Sequence, residues 1–194
     1  MAHHNTPGHP TTAADTAAHA FIARWKGVSA SELSTSQSFV IQLCELLGVA
    51  PPHPTPEQDY MFERPITFSH GDGSTSAGRI DCYRRGHFVW ESKKLKLGKS
   101  AGTTAQASAT TKAFDDALLR ARQQAEDYAR ALPASEGRPP FVVVVDVGHV
   151  IELYADFSGQ GKNYAQFPDA QSFRITMEDL RDPAVQARLK AVWS

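Results

Sequence analysis

The sequence predicts an α/β fold, a mixed central β-sheet with helices on its faces. Three observations carry that prediction. Two helix-periodic segments near the N-terminus precede a cluster of strand-like runs. A long helix-periodic segment, 112–132, then separates those runs from the strand-like "FVVVVDV" at 141–147. That last run is apolar at nearly every position, which marks a strand covered on both faces.

Each element has its own reason. Residues 1–12 are rich in His, Pro, Thr and Gly and read as a disordered tail, leaving 13–194 as a single domain. "AADTAAHAFIARWKGV" sets Ala17, Phe21 and Trp25 four apart, on one helical face. "SASELSTSQSFVIQLCELLGV" repeats the pattern with Phe39, Leu43, Leu46 and Leu47, has Ser34 or Ser36 as a candidate N-cap, and closes at Gly48. The proline-rich 50–58 is a connector. "YMFERPITFSH", the turn "GDGSTSAG" and the hairpin "GRIDCYRRGHFVWESKK" read as three strands, with Arg85 and Gly86 near the hairpin turn. The polar, small-residue stretch 97–111 reads as a loop. In 112–132, Phe114, Leu118, Ala121, Ala125 and Tyr128 form one stripe. After "FVVVVDV", the run "GHVIELYADF" alternates and pairs with it, and 176–194 is helical.

Composition excludes several classes. No apolar run reaches membrane-spanning length, and the N-terminus has no apolar core of the signal-peptide kind. Two cysteines, Cys44 and Cys82, fit a reducing compartment without a disulfide framework, and neither has zinc-finger spacing. Three of the eight histidines fall within the first ten residues, where a flexible tail accounts for them better than a metal site. The formal net charge is −1. A domain that binds DNA tightly by itself is usually more basic, so a nucleic-acid role would need affinity supplied from elsewhere.

The hairpin at 78–94 carries the chemistry. Acidic residues are poor strand formers, yet Asp81 lies in its first strand and Glu91 at the end of its second. Two carboxylates on neighbouring strands repel unless a divalent cation neutralises them. Mg²⁺ suits one or two carboxylates together with phosphate oxygens and waters. Asp81 and Glu91 supply the carboxylates, and the backbone carbonyl of Ser92 offers a third oxygen. Period-2 geometry sends Glu91 and Lys93 to one face, setting Lys93 beside the attacking water, where it can lower that water's pKa, orient it or accept its proton. The expected geometry is convergence of Asp81, Glu91 and Lys93 on one solvent-reachable point.

"GRID", nine residues and "ESK" together resemble the PD-(D/E)XK nuclease superfamily, with Gly78 at the small position three before the Asp. "QAEDY" resembles the QxxxY element of the RecB-like branch through Gln124 and Tyr128. With "FIARWKG", "ELSTSQSFVIQLCELLGV", "RARQQAEDYARALP", "VVVVDVGHVIELYADF" and the closing "FRITMEDLRD", the chain from Phe21 to Trp193 resembles the N-terminal endonuclease domain of MmeI-like (type IIL) restriction–modification enzymes. The resemblance implies a PD-(D/E)XK core with an extra N-terminal helix, and a Mg²⁺-dependent endonuclease, with Mn²⁺ as a substitute metal, acting on double-stranded DNA. It implies a bacterial-type cytoplasmic location and a role in restriction, a phage defence. It also implies methyltransferase and target-recognition domains in a longer chain, which would supply the missing affinity. The present chain would be mainly monomeric, pairing on DNA for double-strand cleavage. A further acidic residue on the first core helix is implied, with Glu45 the best match and Gln42 second.

Other readings compete residue by residue. Tyr128 at this spacing is also an ordinary core position. Lys94, Lys96 and Lys99 make a solvated cluster that could meet phosphates, as could Arg120 and Arg122. His87 reads as a turn residue, and Asp146 as either site-adjacent or simply the end of its strand. The rival to the enzyme is a catalytically inactive PD-(D/E)XK module that binds nucleic acid or a partner. The full set of Asp81, Glu91 and Lys93 speaks against it.

Overall fold

A computed structural model describes residues 12–28, 33–55, 59–93 and 104–194. Helix α1 (Ala13–Trp25) starts at a capping box, in which Thr12 Oγ1 accepts the Asp15 N–H and Asp15 accepts the Thr12 N–H. Its buried face is Ala18, Phe21, Ile22 and Trp25, one position round from the stripe through Ala17. Helix α2 (Leu33–Leu47) buries Phe39, Val40, Leu43, Cys44 and Leu47 against it.

Strands β1 (Tyr60–Ser69), β2 (Thr75–Arg84) and β3 (Phe88–Ser92) form an antiparallel meander. Helix α3 (Thr104–Ala131) then crosses over to β4 (Phe141–Asp146), which lies parallel to β3. The α3 backbone begins eight residues before the helical segment 112–132 predicted by the sequence. Residues 104–111 hold no large apolar side chain, so no periodicity marks them, although their alanines are strong helix formers. Strand β5 (Val150–Ala155) returns antiparallel to β4. Two short strands, β6 (Ala165–Gln166) and β7 (Arg174–Thr176), pair with its outer side. A 3₁₀ turn at Glu178–Arg181 leads into α4 (Pro183–Ala191), capped by Asp182.

The sheet divides two apolar layers. On one side Phe88, Trp90, Val143, Val145, Ile151 and Leu153 pack under α1, α2 and α4. On the other, Val89, Val142, Val144, Val150 and Tyr154 pack under α3. Alternate valines of β4 thus serve opposite layers, which explains its unbroken apolar run. The basic candidates Lys94, Lys96 and Lys99, and the tail at 1–11, lie outside the described residues.

Candidate functional site

The site is built where β2 and β3 part. Their ladder pairs Arg84 with Phe88, Tyr83 with Val89 and Cys82 with Trp90. The ladder stops there, short of Asp81 and Glu91. Asp81 Oδ2 instead accepts the Ser92 backbone N–H at 2.8 Å. On its other edge, β2 pairs Cys82 with Phe62 and Ile80 with Arg64, passing over Asp81 and Glu63. Glu63 is left-handed, with φ 52°, a conformation that costs a non-glycine residue about 1–3 kcal/mol. Both strands change face at this level: Tyr60, Phe62 and Cys82 join the α1–α2 layer, whereas Ile66 and Ile80 join the α3 layer. Asp81 occupies the irregular position and is turned toward β3.

Ser92 fixes the backbone between the other two motif residues. Its Oγ accepts from Trp90 Nε1 at 3.1 Å and from Ser36 Oγ, on α2, at 2.8 Å. Its own N–H is held by Asp81, while the next N–H, of Lys93, donates to Val145 O at 2.7 Å on the β4 side. In an extended strand, the N–H and C=O of one residue point to the same edge. The Ser92 carbonyl therefore lies on the Asp81 edge of β3.

Glu91 and Lys93 share the opposite face from Ser92. Val89 belongs to the α3 layer, and alternation carries Glu91 and Lys93 to the same side. Lys93 Nζ lies 3.2 Å from Asp146 Oδ2 and 3.8 Å from the centre of the Phe114 ring. The expectation of a solvent-reachable lysine does not hold, because the Lys93 side chain is 0% exposed. The reason is that β3 is an interior strand under α3, with a counter-charge waiting on β4. By sequence alone Asp146 reads as either site-adjacent or the end of its strand. The register that pairs Ser92 with Val145 brings it beside Lys93 one step on. The available signal was an acidic residue ending an otherwise all-apolar strand.

The donor types at Asp81, Glu91 and the Ser92 carbonyl are oxygens, the kind a hard divalent cation takes. A carboxylate offers about four acceptor sites, so accepting the Ser92 N–H does not by itself exclude a cation at Asp81. Two carboxylates and one backbone carbonyl are the incomplete oxygen set that Mg²⁺ fills with waters and phosphate oxygens. Among the described residues no three His, Cys, Asp or Glu side chains form a closed metal cage. A thiolate site is also unfavourable. Both cysteines are free and buried, and burial pushes the Cys44 thiol up to about 11 and that of Cys82 well above its ordinary value.

The remaining candidates separate. Gln124 Nε2 donates to Tyr128 OH at 2.7 Å, and the Tyr128 ring stacks on Phe68, with centroids 5.6 Å apart. Tyr128 is buried in the α3 layer, and it ties Gln124 to β2 three residues before Asp81. Arg120 is exposed on α3, whereas Arg122 is taken up by Glu126 and the Tyr164 carbonyl. Glu45 is exposed, and nine residues at ~1.5 Å each put it about 13.5 Å along α2 from Ser36. It lies on the helix layer facing away from Glu91, and Gln42 accepts from Trp25 Nε1 at 2.8 Å. The α2 residue that reaches the motif is Ser36. His87 sits in the β2–β3 turn, as expected.

Gly78 now has a structural reason. A Cβ there would lie 2.6 Å from Tyr128 Cε1 and 3.0 Å from its hydroxyl. The ring is packed in the core and cannot swing aside. Gly78→Ala is therefore expected to cost about 1–3 kcal/mol by overpacking, read as a lower thermal midpoint. Gly78→Ala combined with Tyr128→Leu should recover part of that loss. An unchanged midpoint in the single variant would show that the ring yields.

The sequence of helix, antiparallel meander, crossover helix and parallel strand, with Asp81 and Glu91 at the parting of β2 and β3, defines a PD-(D/E)XK-like core. The profile of the family described as "MmeI, N-terminal domain" matches residues 16–193, and the chain belongs to that family. Comparison with curated proteins and with solved structures finds no match. No described helix is long and apolar enough to cross a membrane.

Proposed function

We propose that the chain is the DNA-cleaving part of a restriction–modification enzyme, a Mg²⁺-dependent endonuclease that hydrolyses phosphodiester bonds and also works with Mn²⁺. The observation that carries this reading is the arrangement around Ser92. Asp81 binds its N–H, its carbonyl faces the same edge, and Glu91 and Lys93 flank it on the α3 face. Membership of the MmeI N-terminal domain family supports it.

In this reading Asp81, Glu91 and the Ser92 carbonyl hold the cation. The cation, when bound, polarises the scissile phosphate and eases deprotonation of the attacking water. Lys93, held between Asp146 and Phe114, contributes a fixed positive charge that acts through space on that water and the phosphate it attacks. Arg120, exposed on α3, is a contact for the phosphates of the strand being cut, with Gln124 in support; Lys94 and Lys96, outside the described residues, are further phosphate contacts on the sequence reading alone. Affinity and sequence choice come from methyltransferase and target-recognition domains elsewhere in the full protein. The balance of 20 basic against 21 acidic residues leaves little non-specific attraction here. Each chain cuts one strand, and two meet on DNA for a double-strand break.

Calorimetric titration of Mn²⁺ in the presence of a short duplex tests the reading, since phosphate oxygens complete the coordination shell. Wild type is expected to bind and Asp81→Ala to lose binding, while both retain the same circular dichroism. Equal binding by the two proteins would remove Asp81 as a ligand. Carboxylate-independent behaviour throughout would favour the inactive binding module.

A further inference from the structure

We infer that Asp146 is a positioning residue for Lys93, so that hydrolysis depends on a fourth charged side chain outside the Asp–Glu–Lys motif. This rests on the nuclease reading above.

Lys93 occupies a closed slot. Asp146 forms one wall, 3.2 Å from Nζ, and the Phe114 ring of α3 forms the other. His149 stands at the outer end, 43% exposed, with its Nδ1 3.6 Å from Asp146 Oδ1 and its ring edge-on to Phe114. Asp146 is itself rigidly placed. It ends β4, pairs with Val150 across the turn, and its carbonyl accepts the His149 N–H at 2.9 Å. Its side chain is 12% exposed.

The physical need is plain. A lysine with no exposed side-chain surface is costly to bury without a counter-charge, and among the described residues the ion pair at 3.2 Å is with Asp146. A free lysine samples many rotamers, whereas a lysine held in a slot delivers its charge to one point, and positional error at a reacting centre is expensive. Asp146 therefore does for Lys93 what Trp90 and Ser36 do for Ser92. It touches neither phosphate nor water and works only through the lysine.

Three measurements on this chain decide it. In wild type, the Nζ protons of Lys93 should give a resolved NMR signal that exchanges slowly with water. Competitive acetylation should find Lys93 protected relative to the exposed Lys162 and Lys190. In Asp146→Asn the Lys93 acetylation rate should rise at least about tenfold, and Asp146→Glu should restore part of the protection. In single-turnover nicking of supercoiled plasmid with Mn²⁺, Asp146→Asn should be slower by about 10–100-fold, with DNA affinity unchanged and partial rescue by Asp146→Glu. Rapid exchange of Lys93 in wild type, unchanged protection in a folded Asp146→Asn, or lost protection without slower nicking would each overturn the inference. Lys93→Met serves as the separate control. If it nicks like wild type, the catalytic reading of the motif fails, whatever the acetylation shows. If it is inactive while Asp146→Asn nicks normally, only the role of Asp146 fails.

Discussion

Lys93→Met is expected to lower the rate of DNA hydrolysis by at least about 100-fold, the lower bound for losing a positioned group that assists proton transfer, with DNA affinity nearly unchanged. Methionine keeps the length of the stem and its contact with Phe114, so the loss falls on the ammonium. The structure changes what else to expect. An exposed lysine could be removed without harm, but Lys93 has no exposed side-chain surface and faces Asp146. Breaking a buried ion pair from one side costs about 3–5 kcal/mol. The 12% exposure of Asp146 and the nearby His149 Nδ1 place the cost at the lower end of that range. Thermal unfolding must therefore be followed alongside cleavage. The double variant Lys93→Met with Asp146→Asn removes both charges, so it should regain most of the stability and none of the activity. That split separates a catalytic lysine from a structural one. Near-wild-type cleavage by Lys93→Met, or recovery of cleavage in the double variant, would mean that the lysine does not act in the reaction.

Much of this arrangement could be read along the chain because apolar periodicity carried it. The stripe from Leu118 to Tyr128 marks α3, and the four valines of β4 serve two layers, so both elements declare themselves. The motif was legible because Asp81, Glu91 and Lys93 are local, within thirteen residues of one another. What was hidden depends on pairing between distant segments. The register of β3 on β4 is needed to bring Asp146 to Lys93, and no local spacing encodes it. The same holds for Ser36, which reaches Ser92 across 56 positions of sequence. Strands β6 and β7 are two and three residues long, too short for alternation to show. The change of face at Asp81 contradicts strict alternation along β2, so a period-2 reading could not foresee it. The resemblance points to Glu45, but helix geometry places it far along α2 from the motif.

Gly148→Ala is expected to lower the thermal midpoint by about 6–12 °C, the largest stability loss among single glycine substitutions in the described chain. Gly148 lies in the β4–β5 turn with φ 82°, which L residues rarely adopt. A Cβ there would run into Val28 O and lie 2.5 Å from Trp25 O and 2.7 Å from Val28 N. All three are backbone atoms at the end of α1, so no rotamer change relieves the clash. The contact is also a bond, because the Gly27 N–H donates to Gly148 O at 2.9 Å. Left-handed strain of about 1 kcal/mol and overpacking of about 2 kcal/mol together give about 3 kcal/mol. At about 2–4 °C per kcal/mol for a chain of this size, the expected range follows. Gly159→Ala is the control, since Gly159 has a similar φ of 75° but nothing within 4 Å of its Cβ direction. It should lose only the conformational part, about 2–4 °C. The turn follows directly on Asp146, so pushing it away from α1 should also loosen the pairing with Lys93, and acetylation of Lys93 should rise in Gly148→Ala but not in Gly159→Ala. If the two alanine variants melt together, α1 yields to the added methyl group and the turn does not clamp it.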